Sequence, residues 1–391
     1  MNKEPLRLLL EGIEIPESAY ENAKARYEAL GDWLGKESNC RGYSPHVFAQ
    51  GSFRLGTAIR PIRDAESYDL DLVCSLGTGI SHTNFTQSDL KNLVGAEIEK
   101  YRSQHNFRER MEEKHRCWCL NYQDSLAFHM DILPTIPAHA SIRQDLRESL
   151  VKSQMNFSLA ESISVQSLSL TDNRRPDYRI ISPRWQTTNP EGYALWFEEK
   201  MKTKQQILNE QVLLTKAAKI DELPVFRRKT PLQQAIQLLK RHRDKMFETA
   251  PDLKPISIII TTLAALAYQG EIDLKSTLST ILGKMGTLVR PAFPRVANPV
   301  NLAEDFADKW RENPLLETNF RKWLTQAQIA FDFFAKPPER EMLLEKSFSD
   351  MGVRMNPDLI DGSFAGGAGS PKSIHIIKQS EVLQPWALGR I

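Results

Sequence analysis

Asp69 and Asp71 flank a single leucine in the stretch YDLDLVCSL, residues 68–76. In a strand, side chains two apart face the same way, so the two carboxylates project together while Leu70 and Leu72 turn to the other face. Like charges side by side in a half-buried sheet are unfavourable unless a cation sits between them. A solvent-facing strand carrying two surface acids would explain the pattern too. Against that, Leu72, Val73 and Cys74 are apolar in succession, which marks an interior strand. A third acid, Asp131, lies in AFHMDILP between Met130 and Ile132. If its strand lies beside the first, three carboxylates converge. Hard oxygen ligands at this density suit Mg²⁺, or Mn²⁺, rather than zinc. Three acids around divalent ions can clamp the attacking and leaving oxygens of a phosphoryl transfer.

Gly51 and Ser52, just after the apolar run of PHVFAQ, supply a complementary part. Glycine lets the backbone approach a ligand closely, and successive amides near a helix start favour an anion. On this reading the turn holds a triphosphate that the metal bridges. By itself a Gly-Ser turn is commonplace; its place ahead of the Asp-Leu-Asp strand gives it meaning.

These residues need a sheet and helices to position them. PHVFAQ and YDLDLVCSL read as strands. HRCWCLNY and LAFHMDILPTIP read as two strands of a hairpin joined by QDS. Tyr20, Ala23, Tyr27, Leu30 and Leu34 follow helical spacing, as do Leu90, Leu93 and Ile98 after a Thr86 or Ser88 cap. Residues 140–190 are polar and rich in turn formers, which suggests a long ordered excursion or a domain seam. Helical signals follow at 191–217, 231–247, 256–268, 302–311 and 316–335. The expected fold class is therefore α+β, with a mixed α/β front and a helical back. The expected domains are 1–180, 181–340 and a tail, 341–391, containing the Gly/Ser-rich DGSFAGGAGSPKS.

The 391 residues carry 41% hydrophobic and 26% charged side chains, the balance of a soluble globular protein. The longest apolar run, 256–268, falls short of the roughly 20 residues a membrane span needs. With no signal-like N-terminus and four cysteines suited to a reducing compartment, a cytoplasmic location is expected. Cys117 and Cys119 alternate in a strand-like run and read as packing rather than metal ligands. A net charge of +2 argues against tight, unconditional nucleic-acid binding.

Gly-Ser, then Asp-x-Asp on a strand, then a later strand Asp, resembles the polymerase-β-like nucleotidyltransferase superfamily. QGSFRLGTAIRP, YDLDLV, FHMDILPTIP, TNPEGYALWF, PLQQAIQLLKRHRD and NPVNLAEDFADKW together resemble its bacterial cGAS/DncV-like branch. These are the cyclic-oligonucleotide synthases of CBASS antiphage defence. The resemblance covers roughly residues 45–312. It implies a polymerase-β-like core joined to a helical lobe like that of the oligoadenylate synthetases. It also implies Asp69, Asp71 and Asp131 as Mg²⁺ ligands, with Asp131 helping to deprotonate the attacking ribose hydroxyl. Gln50, Gly51, Ser52, Lys240 and Ser257 would contact the donor phosphates. The substrates implied are nucleoside triphosphates, ATP or GTP foremost, and an effector would respond to the cyclic product.

Lys240 has a plain alternative as a solvated helix residue. Tyr193, Trp196 and Phe197, spaced as a helical stripe, read as core, and His129 as a packed strand residue or a support for Asp131. The animal DNA sensor of the family carries a zinc-binding insertion, and no comparable Cys/His cluster stands here, so no obligate nucleic-acid activator is expected. The competing readings are an RNA-tailing or tRNA nucleotidyltransferase and a non-catalytic nucleotide-binding module. A binding module has no need for all three acids.

Overall fold

The computed structural model describes residues 5–63, 66–123, 127–202, 229–335, 349 and 351–353. The Gly/Ser-rich segment 361–373 and most of the helical signal at 191–217 lie outside the described residues.

In chain order the elements are α1 (Pro5–Ile13), α2 (Glu17–Asp32), β1 (Pro45–Gln50), α3 (Gly51–Arg54), β2 (Tyr68–Leu76), α4 (Gln87–Gln104), β3 (Glu112–Glu113), β4 (Trp118–Gln123) and β5 (Ala127–Pro137). Then come α5 (Ala140–Lys152), α6 (Phe157–Val165), β6 (Leu168–Leu170), β7 (Gln186–Thr188), α7 (Pro190–Met201), α8 (Pro231–Met246), α9 (Ser257–Ala267), α10 (Leu274–Lys284), β8 (Ala297–Asn298), β9 (Asn301–Asp305) and α11 (Leu315–Ala335).

Seven strands form one mixed sheet in the order β1-β2-β5-β4-β3, with β6 beside β5 and β7 beside β6. β2 and β5 are parallel, and β1 and β4 flank them antiparallel. One sheet face is apolar throughout. Leu70, Leu72, Met130 and Ile132 are fully buried there against Leu90, Val94 and Ile98 of α4 and Leu30 of α2. The opposite face changes character along its length. Val73 and Leu133 are buried with Phe48, Leu168 and Leu170, whereas the positions two residues earlier, Asp71 and Asp131, carry the acids. A second core gathers α1 and α7–α11 around Phe197, Leu238, Leu263 and Trp323. Tyr193 and Trp196 are buried in it, so the stripe on α7 is core.

α4 starts at Thr86, whose side chain and Asp89 form a reciprocal capping box. Two parts of the sequence reading need correction. The polar stretch 140–190 contains α5 and α6, whose buried residues Leu146, Leu150, Ala160 and Ile163 are spaced for helices but diluted by Ser, Arg and Glu. The segment 302–311 is not an α-helix but the strand β9 followed by a short 3-10 turn at Asp308–Trp310. Asp305 accepts the backbone N–H groups of Arg295 (2.7 Å), Val296 (2.9 Å) and Ala307 (2.9 Å), which folds β8 and β9 into a hairpin. Among the described residues no helix is long and apolar enough to cross a membrane.

Candidate active site

Asp71 and Asp131 are direct partners in the parallel pairing of β2 with β5, and Asp69 stands opposite His129 one step earlier on that face. The alternation of β2 thus brings three carboxylates to one patch. Burial raises the pKa of Asp71 to about 7, with Asp131 and then Asp69 adding like-charge repulsion. Asp69 is raised too, first by desolvation between the cleft walls although its outer surface is open, and further by Asp131. At Asp71, Lys114 and Lys240 offset this only in part, and a divalent cation would supply the remaining counter-charge. Among the described residues no three candidate ligands have closed to metal-binding spacing. One reason is visible: Lys114 Nζ donates to both oxygens of Asp131, at 2.9 Å each.

Gly51 ends the run of β1 with φ +66 and opens α3. An added Cβ there would overlap Oδ2 of Asp71, so only glycine brings this turn against the carboxylates. Gln50 is Asp71's partner on the other side, in the antiparallel pairing of β1 with β2. Arg54, at the end of α3, anchors the turn to α7. Its guanidinium donates to both oxygens of Glu191 (2.7 and 3.3 Å) and to Glu198 (2.6 Å), a forked geometry that lysine cannot copy.

The extended segment after α3 is held by α8. Gln233 donates to the Leu55 carbonyl (3.0 Å), Gln237 to Ala58 (2.8 Å), Lys240 to Thr57 (2.9 Å) and Arg241 to Arg60. This polar stripe satisfies backbone that would otherwise be buried unpaired and carries the Lys240 ammonium to the cleft. Lys240 is buried, not a solvated helix residue. Desolvation lowers its pKa to about 7, and Arg243 adds to this, against the opposing charges of Asp244 and Asp71.

A cleft of about 660 Å³ opens over these groups and is lined by Gly51, Ser52, Asp69, Asp71, Lys240 and Ser257, among others. That volume is in the usual range for a small-molecule site. Gln50 and Asp131 do not line it; Asp131 joins the patch through its register with Asp71. Ser257 begins α9, and its hydroxyl accepts from Arg243 (2.9 Å). Among the lining groups that the sequence did not single out are Arg243, Asp244, Lys254 and Arg60. Asp244 binds Arg243 (2.7 Å) and Lys254 (3.1 Å) in one cluster. The only signal was the crowding of charge in KRHRD, which does not say which charges turn inward. Lys114 lies in MEEKHRC, where nothing in the sequence points it at Asp131.

Cys119 is the cross-strand partner of Asp131 on β4, while Cys117 precedes that strand. Burial and then Asp131 push Cys117 up to about 12, and burial with Asp131's hydrogen bond and charge does the same for Cys119, so both are neutral packing thiols. His129 hydrogen-bonds Asn121.

A family profile described as cyclic GMP-AMP synthase DncV-like, nucleotidyltransferase domain, matches residues 45–134. That interval holds the Gly-Ser turn and all three acids. This segment is similar to the DncV-like nucleotidyltransferase domain. A c-di-GMP synthase of Roseivirga ehrenbergii is 27% identical over 323 residues, covering 81% of this chain and 75% of that protein. The cyclic dinucleotide synthase CdnG of Bradyrhizobium diazoefficiens is 23% identical, over 80% of this chain and 71% of that one. The fold of this chain matches the solved structure of CdnG from that organism in complex with GTP, with TM-score 0.63 and 19% identity over 92% and 98% of the two chains. It also matches the GTP-bound form of Vibrio cholerae DncV, with TM-score 0.52 and 16% identity over 90% and 79%.

Proposed function

We propose that this chain condenses nucleoside triphosphates into a cyclic di- or trinucleotide and releases pyrophosphate. The observation that carries the reading is the pairing of Asp71 with Asp131 beside a cleft that also holds Gly51, Ser52 and Lys240. GTP is the first substrate to test, because one relative is a c-di-GMP synthase and another was solved with GTP.

Asp69, Asp71 and Asp131 would hold Mg²⁺ or Mn²⁺; the donors are oxygens alone, and the raised pKa values of Asp69 and Asp71, set first by burial, fit such an ion. When bound, the ion supplies charge neutralisation for the phosphate oxygens and acidity for the attacking hydroxyl. The chain's own residues do the rest. Gly51 and Ser52 receive the donor phosphates, and Lys240 meets their charge from the far wall. Asp131 accepts the proton of the attacking ribose hydroxyl. The new phosphodiester forms as the bond to pyrophosphate breaks. The linear product then presents its own triphosphate to the same turn, and its free hydroxyl closes the ring. We place the enzyme in the cytoplasm, with an effector answering the product in antiphage defence.

The test is nuclease-treated protein with each labelled nucleoside triphosphate and with mixtures, plus Mg²⁺, with and without added duplex DNA or RNA, followed by phosphatase. The reading expects phosphatase-resistant product without nucleic acid. Label growing onto added RNA would favour an RNA-tailing enzyme instead.

A further inference from the structure

The turn between β3 and β4 is held from both sides. Lys91, fully buried on α4, donates to the carbonyls of Lys114 and His115 (3.0 Å to the latter) and pairs with Glu113 at 2.9 Å. The Lys91 carbonyl accepts from the Trp118 indole at 2.9 Å. From the other side, the Asn173 N–H donates to the His115 carbonyl (3.0 Å) and Arg116 pairs with Asp172 (2.9 Å). A buried lysine is expensive to keep charged unless its partners are fixed. Here it fixes the backbone from which Lys114 springs.

Lys114 then spans Asp131. Both carboxylate oxygens accept from it, so a metal ion that uses Asp131 competes with the ammonium for the same oxygens. The lysine side chain is 41% exposed and Asp131 28%, so the ammonium can swing into cleft solvent on its four-carbon stem.

We propose that Lys114 is a resident counter-cation for the carboxylate cluster, holding Asp131 while no metal is bound and competing directly with the metal for it. This rests on the metal reading of the three acids. Lys114 is then a positioning residue: it holds the Asp131 carboxylate until metal takes its place, and it lowers the affinity for free metal. Metal is thereby favoured to enter with a nucleotide, whose phosphates can take up the released ammonium.

The experiment is a Mn²⁺ titration without nucleotide, read from the electron paramagnetic resonance signal of the free ion. The proteins are wild type, Lys114→Met, Lys114→Gln, Lys114→Arg and Asp131→Asn, each checked for folding by circular dichroism. Removing one partly exposed cation beside the site should tighten Mn²⁺ binding ~3- to 10-fold in the Met and Gln variants. The Arg variant, which keeps the charge, should bind as wild type does, and Asp131→Asn should bind far more weakly. Equal affinity in Lys114→Met and wild type, or an equal gain in Lys114→Arg, would overturn the competition while leaving the metal site standing. Wild type that binds as poorly as Asp131→Asn at millimolar Mn²⁺ would overturn the metal reading and the inference with it.

Discussion

Gly51 and Asp71 stand so close that a Cβ on the glycine would lie 3.2 Å from the carboxyl carbon and overlap one of its oxygens. Gly51 also has φ +66, where a side chain costs ~1–2 kcal/mol before any clash. Gly51→Ala should therefore lower stability by about 2 kcal/mol in urea denaturation and displace Asp71, removing most product formation. Gly42→Ala, where an added Cβ meets nothing within 4 Å, is the control and should leave both unchanged.

The paired acids separate catalysis from folding. Asp71→Asn removes a like charge from a crowded patch, so the metal-free protein should be as stable as wild type or more so. Asp131→Asn loses its pairing with Lys114, a partly exposed contact that contributes ~0.2–1 kcal/mol. Both variants should lose at least ~100-fold in turnover, the usual minimum for one catalytic group. A variant that retains a tenth of wild-type turnover would remove its residue from the site.

Lys240 makes a pH-dependent prediction. Its folded pKa, about 7, lies below the unfolded value, so between these the unfolded chain binds more protons. Lys240 should then add stability as pH rises from ~7 toward ~10.4, the reverse of the usual salt-bridged lysine. A bound triphosphate restores the charged form, so nucleotide binding should draw a proton onto Lys240 at pH ~8.5. Calorimetry with chelator present, in two buffers of different ionisation enthalpy, measures that uptake. It should vanish in Lys240→Met. Equal uptake in both proteins would show that Lys240 does not meet the phosphates.

The acids were legible in the sequence because β2 reports its own geometry: period-two alternation, then apolar residues on both faces. That Asp131 belongs beside Asp71 needed only a second interior strand. The stripe Gln233, Gln237, Lys240 and Arg241 was not legible as a set of clamps, since its partners are carbonyls of residues 55–60, which have no side-chain signature. Lys114 was hidden for a similar reason: its aim depends on Lys91, which is distant in sequence and holds the turn through backbone carbonyls. The hairpin at β8–β9 was misread because Asp305 folds it by accepting amides, which outweighs the helical spacing of Leu302, Phe306 and Trp310.

The proposed reaction closes a ring at one site. A ring contains as many phosphodiester bonds as nucleotides, whereas a linear product contains fewer and keeps a terminal triphosphate. The most direct measurement is pyrophosphate released against nucleotide incorporated, with the product mass determined on the same sample and no nucleic acid added. Ring closure predicts equal amounts of the two and a product without terminal phosphate. Less pyrophosphate than incorporated nucleotide, with a triphosphate remaining on the product, would contradict it.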